Sequence, residues 1–153
     1  MDNKNIEEIV KKVVDAMKSL TLNEARFIVR RTIEEAEKIG VKAVVAVADS
    51  GANVICVECM DDSYIASYDI AVNKAFTSVS LKMPTKTLKT LAQPGKELYG
   101  IQNTNNGKIV IFGGGVPLVR GGKVVGGVGV SGGSESQDTY LGDFALKVFE
   151  QNK

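Results

Sequence analysis

The chain of 153 residues contains no histidine, only two cysteines and only three prolines. The missing histidine removes the usual general base, the commonest metal ligand and the commonest haem ligand together. Cys56 and Cys59 have C-x-x-C spacing. Without histidine one such pair cannot complete a zinc site. A redox pair sits at a helix N-terminus, where the dipole lowers the thiol pKa. These two fall in an expected strand, where their separation places them on opposite faces. Packing in a core or an interface is therefore expected of them. A charge excess is also lacking. The formal net charge of +1 gives no electrostatic case for nucleic acid or a membrane surface. No apolar run approaches membrane-spanning length, and the polar N-terminus does not read as a secretory signal, so a cytoplasmic protein is expected. The length suits one domain with its own core.

Glycine is what the chain has in concentrated form. Ten of its sixteen glycines lie between positions 113 and 133, in GGGVPLVRGGKVVGGVGVSGG. Interleaved valines make this a pair of strands rather than a flexible linker. Gly121-Gly122 reads as the hairpin turn, because both central positions of the favoured two-residue turn need positive φ. The strands are then 116–120 and 123–131. Gly126, Gly127 and Gly129 remove side chains from the second strand. Such gaps accompany either tight packing against a helix or a neighbouring subunit, or bare backbone lining a ligand pocket.

The rest of the chain divides clearly. Ile6, Ile9, Val10, Val13, Met17 and Leu20 give residues 5–20 an amphipathic helical stripe, opposite Glu7, Glu8, Lys11, Lys12 and Asp15. Thr21 and Glu24 form a capping-box pattern that starts a second helix, which Gly40 ends. Strands are expected over 42–49 and 53–60, joined at Ser50-Gly51. Apolar residues at both odd and even positions indicate a sheet covered on both faces. Asp61-Asp62-Ser63 opens a third helix with residues suited to its N-terminus. Met83-Pro84 ends that helix. A short helix follows over 85–91, capped by Thr85. A third strand is expected over 108–112. Ser134 and Gln137 form a second capping box, which begins the last helix. Helices and antiparallel strands in this order make an α+β domain.

Several stretches carry a family resemblance. They are LTLNEARFIV (20–29), AVVAVADSGANVI (43–55), CMDDSYIASYDIAVNKAFTS (59–78), MPT (83–85), QPGKELYGI (93–101), IVIFGGGVPLVRGGKVVGGVGVSGG (109–133) and SQD (136–138). Together they resemble the GlcG/HbpS family, which also includes the C-terminal domain of PduO-type proteins. The resemblance implies a profilin-like fold, a five-stranded antiparallel sheet flanked by helices. It divides the chain into an N-terminal amphipathic helix, 1–20, and a GlcG/HbpS-like domain, 21–153. It also implies a homo-oligomer and a small-molecule ligand, with haem, a corrinoid-related compound or a small acid as the classes attached to the family. Haem-binding members with a histidine ligand have no counterpart in this chain, so Tyr, Met, Cys or Lys would have to replace it. The first helix resembles the short peptides that direct enzymes into bacterial microcompartments, an alternative to ordinary docking on the domain.

Candidate site residues follow. Lys74, in A-x-x-K-A, is either a salt-bridged surface lysine or an anion partner in a pocket. Met60 and Asp61 are a core residue and a helix cap, or a pocket rim. Gly113, Gly114 and Gly115 are neither a P-loop nor a dinucleotide fingerprint. They mark a sharp bend needing positive φ or a run of N–H groups for an anion. Phe112 precedes them on the expected pocket wall. Gln137 and Asp138 are most simply the capping partner and a dipole complement. Asp49 stabilises a turn. Tyr99 orders its loop or contacts a ligand. A ligand-binding pocket of Met60, Asp61, Lys74, Phe112 and the triple glycine is the leading reading. An enzyme using Lys74, Tyr99 or Asp138 as acid–base group, and an assembly protein without a ligand, are the rivals.

Overall fold

The computed structural model describes residues 2–152. Its elements are α1 (Asn3–Met17), α2 (Leu22–Lys38), β1 (Val44–Asp49), β2 (Val54–Cys59), α3 (Ile65–Leu81), α4 (Thr85–Leu91), β3 (Gly115–Arg120), β4 (Lys123–Ser131) and α5 (Glu135–Gln151). The strands form one antiparallel sheet in the order β2-β1-β4-β3. The sheet has four strands where five were expected. Residues 108–112 do not join it. Their backbone turns to α3 instead, with Val110 N–H donating to Thr77 Oγ1 at 3.0 Å and Thr77 Oγ1 also bonding the Lys108 carbonyl. Edge strand β3 contains Pro117, which suits a strand without a partner on its outer side.

Both faces of the sheet are covered. Val45, Val47, Leu118, Val128 and Val130 pack with Ile28 and Val29 of α2 and Leu141 and Ala145 of α5. Val44, Ala46 and Ala48 face Ala71, Ala75 and Val79 of α3 on the other side. The two-sided burial is why β1 reads as a continuous apolar run. It also decides between the two readings of the β4 glycines. A Cβ at Gly129 would stand 1.9 Å from the Ala71 carbonyl oxygen, and one at Gly127 would stand 2.5 Å from Ser78 Oγ. Missing side chains let α3 lie directly on the sheet backbone.

Local signals place the helix ends. Both capping boxes are formed, Thr21 with Glu24 and Ser134 with Gln137. Asp49 Oδ1 accepts from the N–H groups of Gly51 and Asn53, closing the β1–β2 turn. Two expected caps are absent. Asp61-Asp62-Ser63 forms a turn, and α3 starts at Ile65 after Tyr64 without a side-chain cap. Thr85 lies inside α4 rather than capping it, because its hydroxyl accepts from Gly115 N–H at 2.9 Å. Helix α1 buries no residue, and its Ile6, Ile9, Val10, Val13, Val14 and Met17 are 45–71% exposed. It meets the domain through its last turn, where Ala16 abuts Gly121 and the Arg120 guanidinium donates to the Lys18 carbonyl. No helix among the described residues is long and apolar enough to cross a membrane.

Gly129→Ala should therefore destabilise by about 3 kcal/mol or more, the upper end for overpacking, because the obstructing atoms are helix backbone. Gly122→Ala, at φ +76° with nothing within 4 Å of its Cβ, should cost only about 1–2 kcal/mol for left-handed strain. Urea denaturation of the two variants checks this, and equal costs would contradict the close approach of α3.

Candidate functional site

The site grows from one lysine. Lys74 lies midway along α3 on the face pressed to the sheet, and its side chain is fully buried. Its ammonium donates to the Val130 carbonyl at 2.7 Å and to Asp138 Oδ2 at 2.8 Å. The Phe112 ring centre lies 4.9 Å from Nζ, within cation–π range. Asp138 comes from the first turn of α5, fixed there by the Ser134–Gln137 capping box, and its Oδ1 accepts from Gly133 N–H at 2.9 Å. Burial drives the Lys74 pKa below the ordinary lysine range, against the opposing pull of Asp138 and then Glu135.

The triple glycine threads between α3 and α5 beside this pair. Gly114 has φ +115°, and a Cβ on it would meet the Val130 carbonyl at 2.6 Å and Lys74 Nζ at 2.8 Å. A Cβ on Gly115 would lie 2.6 Å from the Lys74 carbonyl, and one on Gly113 would lie 2.0 Å from Thr139 Oγ1. The backbone donors on either side of Gly114 are engaged. Gly113 N–H donates to Glu135 Oε1 at 3.0 Å and Gly115 N–H to Thr85. Glu135 is in turn held by Lys89, and these two partners, Lys89 first, keep its carboxyl below the usual carboxylate range.

Above the pair is an open cavity of about 260 Å³, with Tyr64, Ser67, Phe112, Ser131, Glu135 and Asp138 among its lining. Three lining residues, Ser67, Ser131 and Asp138, are only 3–4% exposed. The two serine hydroxyls bond each other at 3.1 Å. Tyr64 and Phe112 form an exposed aromatic rim, and Ile65 and Tyr68 follow Tyr64 as exposed apolar residues at the start of α3, with Ile65 97% exposed.

The structure brings Lys74, Phe112, Gly113, Gly114, Gly115 and Asp138 together. Lys74 is buried rather than at the surface, and its charge is met by Asp138 rather than left free in the cavity. Met60, Asp61 and Tyr99 do not line the cavity. Met60 packs on the core, and its Sδ accepts from Ala43 N–H. Asp61 and Tyr99 are exposed on loops. Cys56 is half-buried and Cys59 exposed, both free. The sequence reading missed Ser67, Ser131 and the burial of Asp138. A signal existed for two of them. Asp138 shares the α5 stripe of Leu141, Ala145 and Val148, and Ser67 shares the α3 stripe of Ala71, Lys74 and Ser78, both at helical spacing.

Comparison with known proteins bears on the same region. The family described as haem degrading protein HbpS-like matches residues 20–147. An uncharacterized 15.0 kDa protein in the dhaT-dhaS intergenic region of Citrobacter freundii is 42% identical over 133 residues, covering 87% of this chain and 94% of that protein. Corrinoid adenosyltransferase PduO of Citrobacter freundii is 36% identical over 128 residues, which is 84% of this chain but 38% of that relative's length. The crystal structure of a PduOC–haem complex superposes with a TM-score of 0.83 at 34% identity, covering 86% of this chain and 95% of the other.

Removing one member of the buried pair should be costly because the other charge is left uncompensated. Lys74→Met and Asp138→Leu should each lose about 3–5 kcal/mol in urea denaturation. The double variant should lose less than the sum of the two. Additive losses would show that the two side chains are not coupled.

Proposed function

The chain belongs to the HbpS-like family, and from that premise we propose that it is a small-ligand-binding domain, residues 21–153, whose ligand seats at the cavity above the Lys74–Asp138 pair. The observation that carries this is the cavity's make-up: three almost fully buried polar side chains at its floor and an exposed aromatic rim at its mouth. Buried polar groups facing an open space and a contiguous exposed apolar rim both mark ligand sites.

Haem is the ligand class the family name and the PduOC relative suggest. The rim fits a flat apolar molecule, with Tyr64, the residue before α3, and Phe112 both lining the cavity. No histidine is present, and the Met60 thioether is occupied by Ala43 N–H, so the Tyr64 phenol is the iron ligand the mouth of the cavity offers. When bound, haem would supply a redox-active iron. The chain's own part is to hold the ring by its apolar rim and to present the phenol oxygen. A corrinoid would use the same rim. Haemin titration followed by visible absorbance tests this. The wild-type chain should shift the haemin spectrum saturably, Ile65→Asp should weaken binding at least about tenfold without loss of stability, and Tyr64→Phe should change the spectrum of the bound form. A haemin spectrum indifferent to the protein at micromolar concentration would overturn the haem assignment.

A second reading concerns α1, Asn3–Met17, as a handle for a partner. Its apolar stripe is exposed along its whole length while no residue is buried. That favours docking outside the domain, in a homo-oligomer or, as with PduO-type relatives, in a microcompartment. A chain starting at Leu20 should keep its thermal midpoint. A fall of more than about 4 °C, the scale of 1 kcal/mol in a domain of this size, would make α1 part of the fold instead.

A further inference from the structure

We infer that the cavity floor selects a small uncharged molecule bearing hydroxyl groups and discriminates against carboxylates; this rests on the reading of the cavity as a ligand site. The two lysines and three backbone N–H groups beside the cavity already have acceptors. Lys74 is taken by Asp138 and Val130, Lys89 and Gly113 N–H by Glu135, Gly133 N–H by Asp138 and Ser134 N–H by Gln137. The charged groups that line the cavity are two carboxylates, Glu135 and Asp138, each balanced by one lysine. An incoming carboxylate would be dehydrated against two like charges and would meet no unpaired cation.

A neutral hydroxyl meets a different situation. Ser67 and Ser131 bond only each other among the described residues. Whichever way that bond runs, one hydroxyl hydrogen is left without a protein acceptor. Each Asp138 oxygen has a single partner, Gly133 N–H on Oδ1 and Lys74 on Oδ2, and so keeps acceptor capacity. A ligand hydroxyl both accepts and donates. It can take the free serine hydrogen and give its own to Asp138, and a second hydroxyl on the adjacent carbon extends the same pattern. The cavity of about 260 Å³ lies below the usual range for drug-sized ligands, so a group of a few carbon atoms fills its floor.

The test is an amide-shift NMR titration with ethane-1,2-diol and glycerol against glycolate and glycerate at constant ionic strength. The diol and triol should shift Ser131, Gly132 and Gly133 saturably, and their acids should bind at least about tenfold more weakly. Ser67→Ala and, separately, Ser131→Ala should weaken diol binding by up to about tenfold, the scale of one lost hydrogen bond. Unchanged thermal midpoints would show that both variants fold. Glycolate binding as tightly as ethane-1,2-diol, diol affinity indifferent to both substitutions, or no saturable shift at these amides would each overturn the inference. Haemin titrations run in parallel separate the two readings. Diol binding without haemin binding removes haem alone, and haemin binding without selective diol binding removes this inference alone.

Discussion

One contact, the buried Lys74–Asp138 pair, ties together α3, the end of β4 and the start of α5. Its members are 64 residues apart in sequence, and neither has appreciable contact with solvent. Burying an ammonium is unfavourable unless every donor finds a partner, and here the partners are a carboxylate, a carbonyl and an aromatic ring. A pair of apolar residues would fill the same volume but would not fix where the first turn of α5 sits relative to α3. Ionic geometry does fix it. The pair therefore sets the register in which Ser67 and Ser131 come within hydrogen-bonding distance and the cavity takes its shape.

That arrangement depends on space the glycines vacate. Gly127 and Gly129 let α3 touch the backbone of β4, which brings Lys74 within reach of the Val130 carbonyl. Gly113, Gly114 and Gly115 let the chain pass between two helices, where a Cβ would collide with the Thr139 hydroxyl, with backbone or with the lysine itself. Close packing and the site are thus one feature. The polar cluster exists because the surrounding backbone comes closer than side chains would normally permit.

Much of the fold could be read from local patterns because its causes are local. Thr21 with Glu24 and Ser134 with Gln137 are complete capping signals within four residues, and both form. The unalternating apolar run in β1 reports burial on both faces. The failures arise where the deciding partner is distant. Residues 108–112 are apolar enough for a strand, yet Thr77 of α3 captures their backbone. Lys74 was singled out with the triple glycine and Phe112, and the structure places these residues side by side. A lysine in isolation looks available to a ligand, however, and nothing near it in sequence reveals Asp138. Met60 and Asp61 lie close to α3 in sequence but face the core and solvent, because the Asp61-Asp62-Ser63 turn redirects the chain before the helix begins.

The strand order has a consequence for how the molecule is made. Because β1 lies between β2 and β4, the N-terminal half emerges from synthesis with one edge of β1 unpaired. That edge stays open until residues 123–131 arrive. Chain closure over such separations is slow compared with helix formation. Until α5 follows, Lys74 has no carboxylate partner, so its ammonium remains hydrated and opposes premature docking of α3. Helix α5 thus carries the group that makes burial of the lysine favourable. A chain ending before Asp138 would lose α5 and, with it, the carboxylate that offsets burial of the lysine.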